Sequence, residues 1–336
     1  MTSERATWLA LTTEDPIDPD LPICDPHHHF WDRPDGRYLL DELLQDTGGG
    51  HRITETVFVE CSSMYRKDGP EDTRPVGETE FVQGIAAQSA SGQYGDTKVA
   101  VGIVGYADLA LGDQVIGVLE SHIEASSNRF RGIRNSSCWD DNPEFRSHKN
   151  PKKGLLADPK FREGFSALGK LGLSFDAWLY HTQLPELVDL ARAFPDVPIV
   201  LDHIGGPIGI GSYAGKKDEV FRSWKNGIAE LATCSNVVVK LGGFGMPLGG
   251  HEWQEREAPP TSMDIAHAMA PYYLHCIEAF GADRCMFESN FPVDKVSCSY
   301  TVLWNVFKRI TESFSPSERS ALFRDTAMRT YRLTAQ

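Results

Sequence analysis

Eight short runs rich in β-branched and aromatic residues recur along this chain, and each gives way to a polar stretch with apolar residues three and four apart. The runs are LPICDPHHH (21–29), ITETVFVEC (53–61), VAVGIVGYADL (99–109), FRGIRNSSCW (130–139), LSFDAWLY (173–180), VPIVLDHIG (197–205), NVVVKLGG (236–243) and RCMFESN (284–290). Between them lie helical patterns such as ETEFVQGIAAQSA, DPKFREGFSALGKLG, LPELVDLARAF and DEVFRSWKNGIAELA, and two more, SYTVLWNVFKRITESF and SERSALFRDTAMRTYRL, follow the last run. Strands alternating with helices specify parallel pairing through crossover connections. Eight such units, at intervals of roughly 25 to 45 residues, predict a closed (β/α)8 TIM barrel rather than an open doubly wound sheet. No G-x-G-x-x-G follows the first strand, in keeping with that choice.

The 336 residues then form one large α/β domain, with 1–20 as an irregular leader and 21–336 as the barrel. One insertion stands out: FGMPLGGHEWQEREAPPTS, after the seventh strand, is Gly/Pro-rich and carries Trp253. On a barrel it lies at the rim that carries active sites, where it is either a cover for substrate or a surface insertion.

The net charge of −14 and the lack of any Lys/Arg-rich run argue against nucleic acid or an anionic membrane as partner. Seven scattered cysteines, with no CxxC pair, fit reduced thiols. The opening MTSERATWLALTTEDPIDPD resembles neither a secretory signal nor a membrane span, so a cytoplasmic location is expected. A homo-oligomer stays open.

The first strand ends in DPHHHFWD. Alternation along a strand puts His27 and His29 on one side and His28 on the other, making a His-x-His pair of the kind that begins a divalent-metal site. Other strand ends are also polar: Arg131 and Arg134 on the fourth, Trp178, Tyr180 and His181 on the fifth, Asp202 and His203 on the sixth, and Glu288, Ser289 and Asn290 on the eighth. In a TIM barrel these ends converge, which marks them as a candidate site.

DPHHHFWD, WLYHTQLPEL, IVLDHIGGP and GADRCMFESNFPVDK together resemble the amidohydrolase-2 branch of the amidohydrolase superfamily, over residues 21 to about 330. That branch contains sugar lactonases, 2-pyrone-4,6-dicarboxylate lactonase and aminocarboxymuconate semialdehyde decarboxylase. The resemblance implies that His27, His29 and His181 hold a divalent metal, with Zn2+ the first choice, and that His203 orients or polarises water or substrate. It also implies that Asp25 and Trp31 are framework. Some lactonases of the branch work without metal, so a metal-free mechanism stands beside the metal-dependent one.

The chain departs from the branch at the eighth strand, where SNFP puts Asn290 at the position of a customary aspartate. An amide ligates through oxygen but takes no proton near neutral pH. Asp294 is the favoured substitute base, with Glu288 and His203 as alternatives. Arg131 and Arg134 are three apart, so at most one faces inward on a regular strand, where it would bind a substrate carboxylate. Trp178 and Tyr180 are read as substrate-binding. Tyr65, Arg66 and Lys67 are weaker rim candidates, and Glu60 is either a buried partner or a functional acid.

The reading is a hydrolase that opens a lactone or related cyclic ester bearing an acidic group, by activated-water attack. Its rivals are a metal-dependent decarboxylase of an aromatic or muconate-type acid, and a barrel that only binds a small-molecule ligand.

Overall fold

The computed structural model describes residues 3–34, 36–145 and 151–333. All eight strands form where the β-branched runs stand: β1 (Ile23–His28), β2 (Ile53–Val59), β3 (Lys98–Gly105), β4 (Phe130–Arg134), β5 (Ser174–Ala177), β6 (Ile199–Leu201), β7 (Val237–Leu241) and β8 (Cys285–Phe287). They pair in parallel, each with its neighbour in sequence. The ring closes just beyond β8. His29 N donates to Phe291 O (2.8 Å) and Asn290 N donates to His27 O (2.9 Å). The result is a (β/α)8 TIM barrel in a single domain.

The helices wrap the ring because their apolar stripes need cover. Pro159–Leu171 buries Phe161, Phe165 and Leu168, and Lys217–Leu231 buries Val220, Trp224, Ile228 and Leu231, while their charged faces meet water. No helix among the described residues is long and apolar enough to cross a membrane.

Two features differ from the sequence reading. The leader is not wholly irregular: Ser3–Leu9 is helical, and the segment docks on the insertion after β7. Trp8 Nε1 donates to Arg256 O (2.8 Å) and Thr12 Oγ1 to Pro259 O (2.7 Å). Between β1 and β2 there is also a small hairpin, Trp31–Arg33 with Gly36–Tyr38, followed by the helix Leu40–Thr47. The insertion after β7 is well packed. Trp253 is buried against Phe244 (ring centroids 5.7 Å apart), and Gly209 N donates to Leu248 O (2.9 Å).

Candidate active site

The strand ends bring a buried ionic network to the mouth of the barrel. His27 and His29 share one side of β1, with ring centroids 4.9 Å apart, and His203 meets His27 from the end of β6 at 4.6 Å. His28 points the other way, as the period of two requires: its Nε2 lies 2.8 Å from Thr56 Oγ1 and its ring packs on Phe30. His203 and Asn290 both sit in the left-handed region, with φ of 52° and 54°. Such backbone strain in non-glycine residues concentrates at functional sites.

Glu288 is the centre of the arrangement. Its Oε1 is 2.6 Å from His203 Nδ1 and accepts from His203 N (3.1 Å), while its Oε2 is 2.8 Å from His27 Nδ1. Burial alone would push this carboxyl up, but the two imidazoles outweigh it and hold it at about 2. A carboxylate accepts only, so His203 puts its proton on Nδ1 and its lone pair on Nε2. The Nε2 of His203 is left facing a cavity of about 200 Å3, walled by Ile208, Tyr213, Phe244, Met246 and Leu248.

Asp294, the favoured base, lies behind this layer. Its Oδ2 accepts from Gly245 N (2.9 Å) and its Oδ1 from Asn290 Nδ2 (2.8 Å), and burial pushes it up to about 7. Both its oxygens are engaged by Gly245 and Asn290, and the carboxylate in contact with His203 is Glu288. Asn290 turns its Oδ1 toward His29 Nε2 (3.3 Å), and His29 Nδ1 donates to Val59 O (2.7 Å).

The two arginines part as the strand geometry demands. Arg131 parts from the other strand-end residues, with Nη1 donating to Phe130 O and Nη2 to Asn128 O. Arg134 faces in. Its Nε donates to Glu60 Oε1 (3.0 Å), and its Nη1 reaches Asp202 Oδ2 (3.4 Å) and His27 Nε2 (3.3 Å). Its charge is already matched by protein carboxylates, which removes the reason to expect a substrate carboxylate there. Glu60 proves to be the buried partner.

Trp178 stands edge-on to His203, with ring centroids 4.8 Å apart. The hydroxyl of Tyr180 donates to Phe145 O, so it positions the loop after β4. His181 does not join His27 and His29. The chain turns into a 3₁₀ turn at His181–Gln183, which swings the imidazole onto Tyr213 (5.3 Å) and lets its Nδ1 accept from Ile208 N (3.4 Å). Of the weaker candidates, Arg66 pairs with Glu80 on the surface, Lys67 is exposed and Tyr65 is half-buried. Asp25 is framework, accepting from Ser289 N (3.0 Å) and Tyr300 Oη (2.9 Å), and Trp31 stacks on His29.

Sequence reasoning missed Lys240 and Asp176. Lys240 is fully buried, with Nζ 2.7 Å from Asp176 Oδ2, 3.0 Å from Asp202 Oδ1 and 3.2 Å from His27 Nδ1. Burial would lower its pKa, but Asp176, Asp202 and Glu288 outweigh that and raise it, so it stays charged. The signal was present: one basic and one acidic residue interrupt the otherwise uncharged strands VVVKL and SFDA, and neither tolerates burial unpaired.

His27, His203 and Glu288 place ligand-type atoms within 4.8 Å of one another, a His/Glu group of the kind that takes a divalent ion. The hydrogen bonding works against it. Glu288 Oε1 is taken by His203 Nδ1, and each ring nitrogen of His27 has a fixed cation beside it, Lys240 at Nδ1 and Arg134 at Nε2. The arrangement as it stands does not fit a bound ion.

Comparison with known proteins agrees with this architecture. The chain is 36% identical over 328 residues to the uncharacterized protein y4mH of Sinorhizobium fredii, covering 94% of this chain and 99% of that one. It is 26% identical over 285 residues to an L-fucono-1,5-lactonase of Burkholderia ambifaria, covering 81% of each. A solved amidohydrolase of Burkholderia multivorans with bound zinc superposes with a TM-score of 0.70 at 25% identity, over 93% of this chain and 99% of that one. Divalent metals are general in that superfamily. With the amidohydrolase family matching residues 24–333, nearly the whole of the barrel, this chain belongs to the amidohydrolase family.

Proposed function

We propose that this protein hydrolyses a lactone, with His203 as general base and Glu288 as the group that orients and charges it. The observation that carries the reading is the 2.6 Å contact between His203 Nδ1 and Glu288, which leaves Nε2 as the lone pair at the cavity. His203 Nε2 takes a proton from water as the oxygen attacks the lactone carbonyl carbon. When the ring C–O bond breaks, the imidazolium returns that proton to the departing oxygen, giving the open hydroxy acid. The buried carboxylate stabilises the imidazolium between the two steps.

The cavity lining does not provide the paired cations that a dicarboxylate ring would need. It is mostly apolar, with Lys217 as its one formal charge, and Arg134 is engaged by Glu60 and Asp202. The 26% identity to L-fucono-1,5-lactonases supports a sugar-type lactone. A pH-stat panel tests this with L-fucono-1,5-lactone, other neutral aldonolactones and 2-pyrone-4,6-dicarboxylate. Acid release from a neutral lactone, lost in His203→Ala, is expected. Turnover of the dicarboxylate alone, or full activity in His203→Ala, would remove the reading.

A further inference from the structure

Both ring nitrogens of His27 are engaged, and each has a cationic donor beside it. Nδ1 lies 2.8 Å from Glu288 Oε2, which only accepts. Lys240 Nζ, which only donates, stands 3.2 Å from the same Nδ1, and Arg134 Nη1, which also only donates, stands 3.3 Å from Nε2. Arg134 is held there: its Nε donates to Glu60 Oε1 at 3.0 Å, its Nη2 to the Glu60 carbonyl and its Nη1 also to Asp202 Oδ2 at 3.4 Å. Lys240, anchored on Asp176 and Asp202, brings a second cation to the Nδ1 side. Histidine binds a metal ion through a bare ring nitrogen. Whichever nitrogen of His27 is bare, a fixed cation stands on it: the Lys240 ammonium at Nδ1, or at Nε2 a guanidinium that does not deprotonate.

We infer that Arg134 takes the place of a divalent ion on His27, so that this site works on two built-in cations and excludes zinc by direct competition. Arg134 is then a positioning residue: it holds the His27 imidazole 2.8 Å from the Glu288 carboxylate that serves His203. The inference concerns the site of the proposed hydrolysis, but it is tested without any substrate.

The test is zinc affinity, read by competition with a chromophoric chelator after the protein has been dialysed against chelator. The wild type is compared with Arg134→Met/Glu60→Gln, which removes the guanidinium together with its main counter-charge so that no charge is stranded. The double variant is expected to take one zinc per chain at least tenfold more tightly than the wild type. Adding His27→Ala is expected to abolish that gain, which locates the ion. Circular dichroism at the titration temperature checks that the variants are folded. The inference is overturned if the wild type binds one zinc per chain as tightly as the double variant, or if the gain survives His27→Ala. Elemental analysis of the wild type decides independently of the variants: zinc retained at one per chain through chelator dialysis overturns the inference, and its absence supports it.

Discussion

His203 Nδ1 and Glu288 Oε1 lie 2.6 Å apart although the two residues come from the sixth and eighth strand ends. Glu288→Gln removes the charge that stabilises the imidazolium while keeping the side chain's shape. A loss in kcat of about a hundredfold or more, with KM little changed, is expected on any lactone the protein turns over. The pH dependence of stability has a definite sign. Glu288 is held at about 2 against an ordinary 4.5, so its contribution is present above pH 4.5 and is lost as pH falls toward 2. An acid titration followed by circular dichroism should show this loss in the wild type and a shallower one in the variant.

Asp294 behaves in the opposite sense. Burial raises it from 3.8 to about 7, so the folded state favours its protonated form, and stability is lost as pH rises through 7. Asp294→Asn should therefore raise Tm more at pH 8.5 than at pH 5.5. The new amide keeps the bond from Gly245 N, and Asn290 can rotate to accept from it. Calorimetry at the two pH values checks the prediction, and a larger gain at pH 5.5 would contradict it.

His28 predicts a stability effect without a catalytic one. It is buried between Thr56 and the Phe30 and Phe58 rings, away from His27 and His29. His28→Ala leaves a cavity and strands a hydroxyl, at a cost of about 2 to 4 kcal/mol, with turnover per folded molecule unchanged. Burial lowers His28 from 6.5 to about 3, so its contribution is present above pH 6.5 and declines as pH falls toward 3. Urea unfolding beside initial-rate kinetics separates the two effects.

Gly243 fixes the position of His203 from the end of β7. Its φ is +71°, and a Cβ there would stand 2.6 Å from His203 Cβ and 2.7 Å from Cγ. Gly243→Ala must shift the imidazole, since real Cβ atoms do not approach so closely, and it also costs about 1 to 2 kcal/mol in backbone strain. The expected outcome is loss of most activity with only a modest fall in Tm, measured on the same preparation.

Lys240→Met should be among the most damaging single changes in the barrel. It leaves Asp176 and Asp202 buried without their ammonium, at a cost of about 3 to 5 kcal/mol. Lys240→Met/Asp176→Asn should recover part of that loss. A double-mutant cycle by denaturant unfolding measures the coupling, and strict additivity would show that the pair contributes nothing.

Several features of the site were legible in the sequence because they depend only on local periodicity. The period of two in DPHHHFWD put His27 and His29 together and turned His28 away, and the same rule separated Arg131 from Arg134. Strands announced themselves because β-branched runs bounded by turn residues have few other uses.

The sequence by itself determined the barrel, the order of its strands and the strand ends at which polar residues would gather. Only the tertiary structure decided which of those residues meet. His181 was expected beside the β1 histidines, but a turn that begins at His181 itself carries it to Tyr213. Asp294 was preferred to Glu288 for reach, yet Gly245 N and Asn290 engage it, and the deeper carboxylate meets both imidazoles. Lys240 and Asp176, 64 residues apart on separate strands, find each other only when the barrel forms. The physical reason is common to all three. Alternation along a strand fixes which face a side chain takes, whereas its partner is set by the stagger of neighbouring strands and the turn at each strand end, and both depend on how the whole barrel packs.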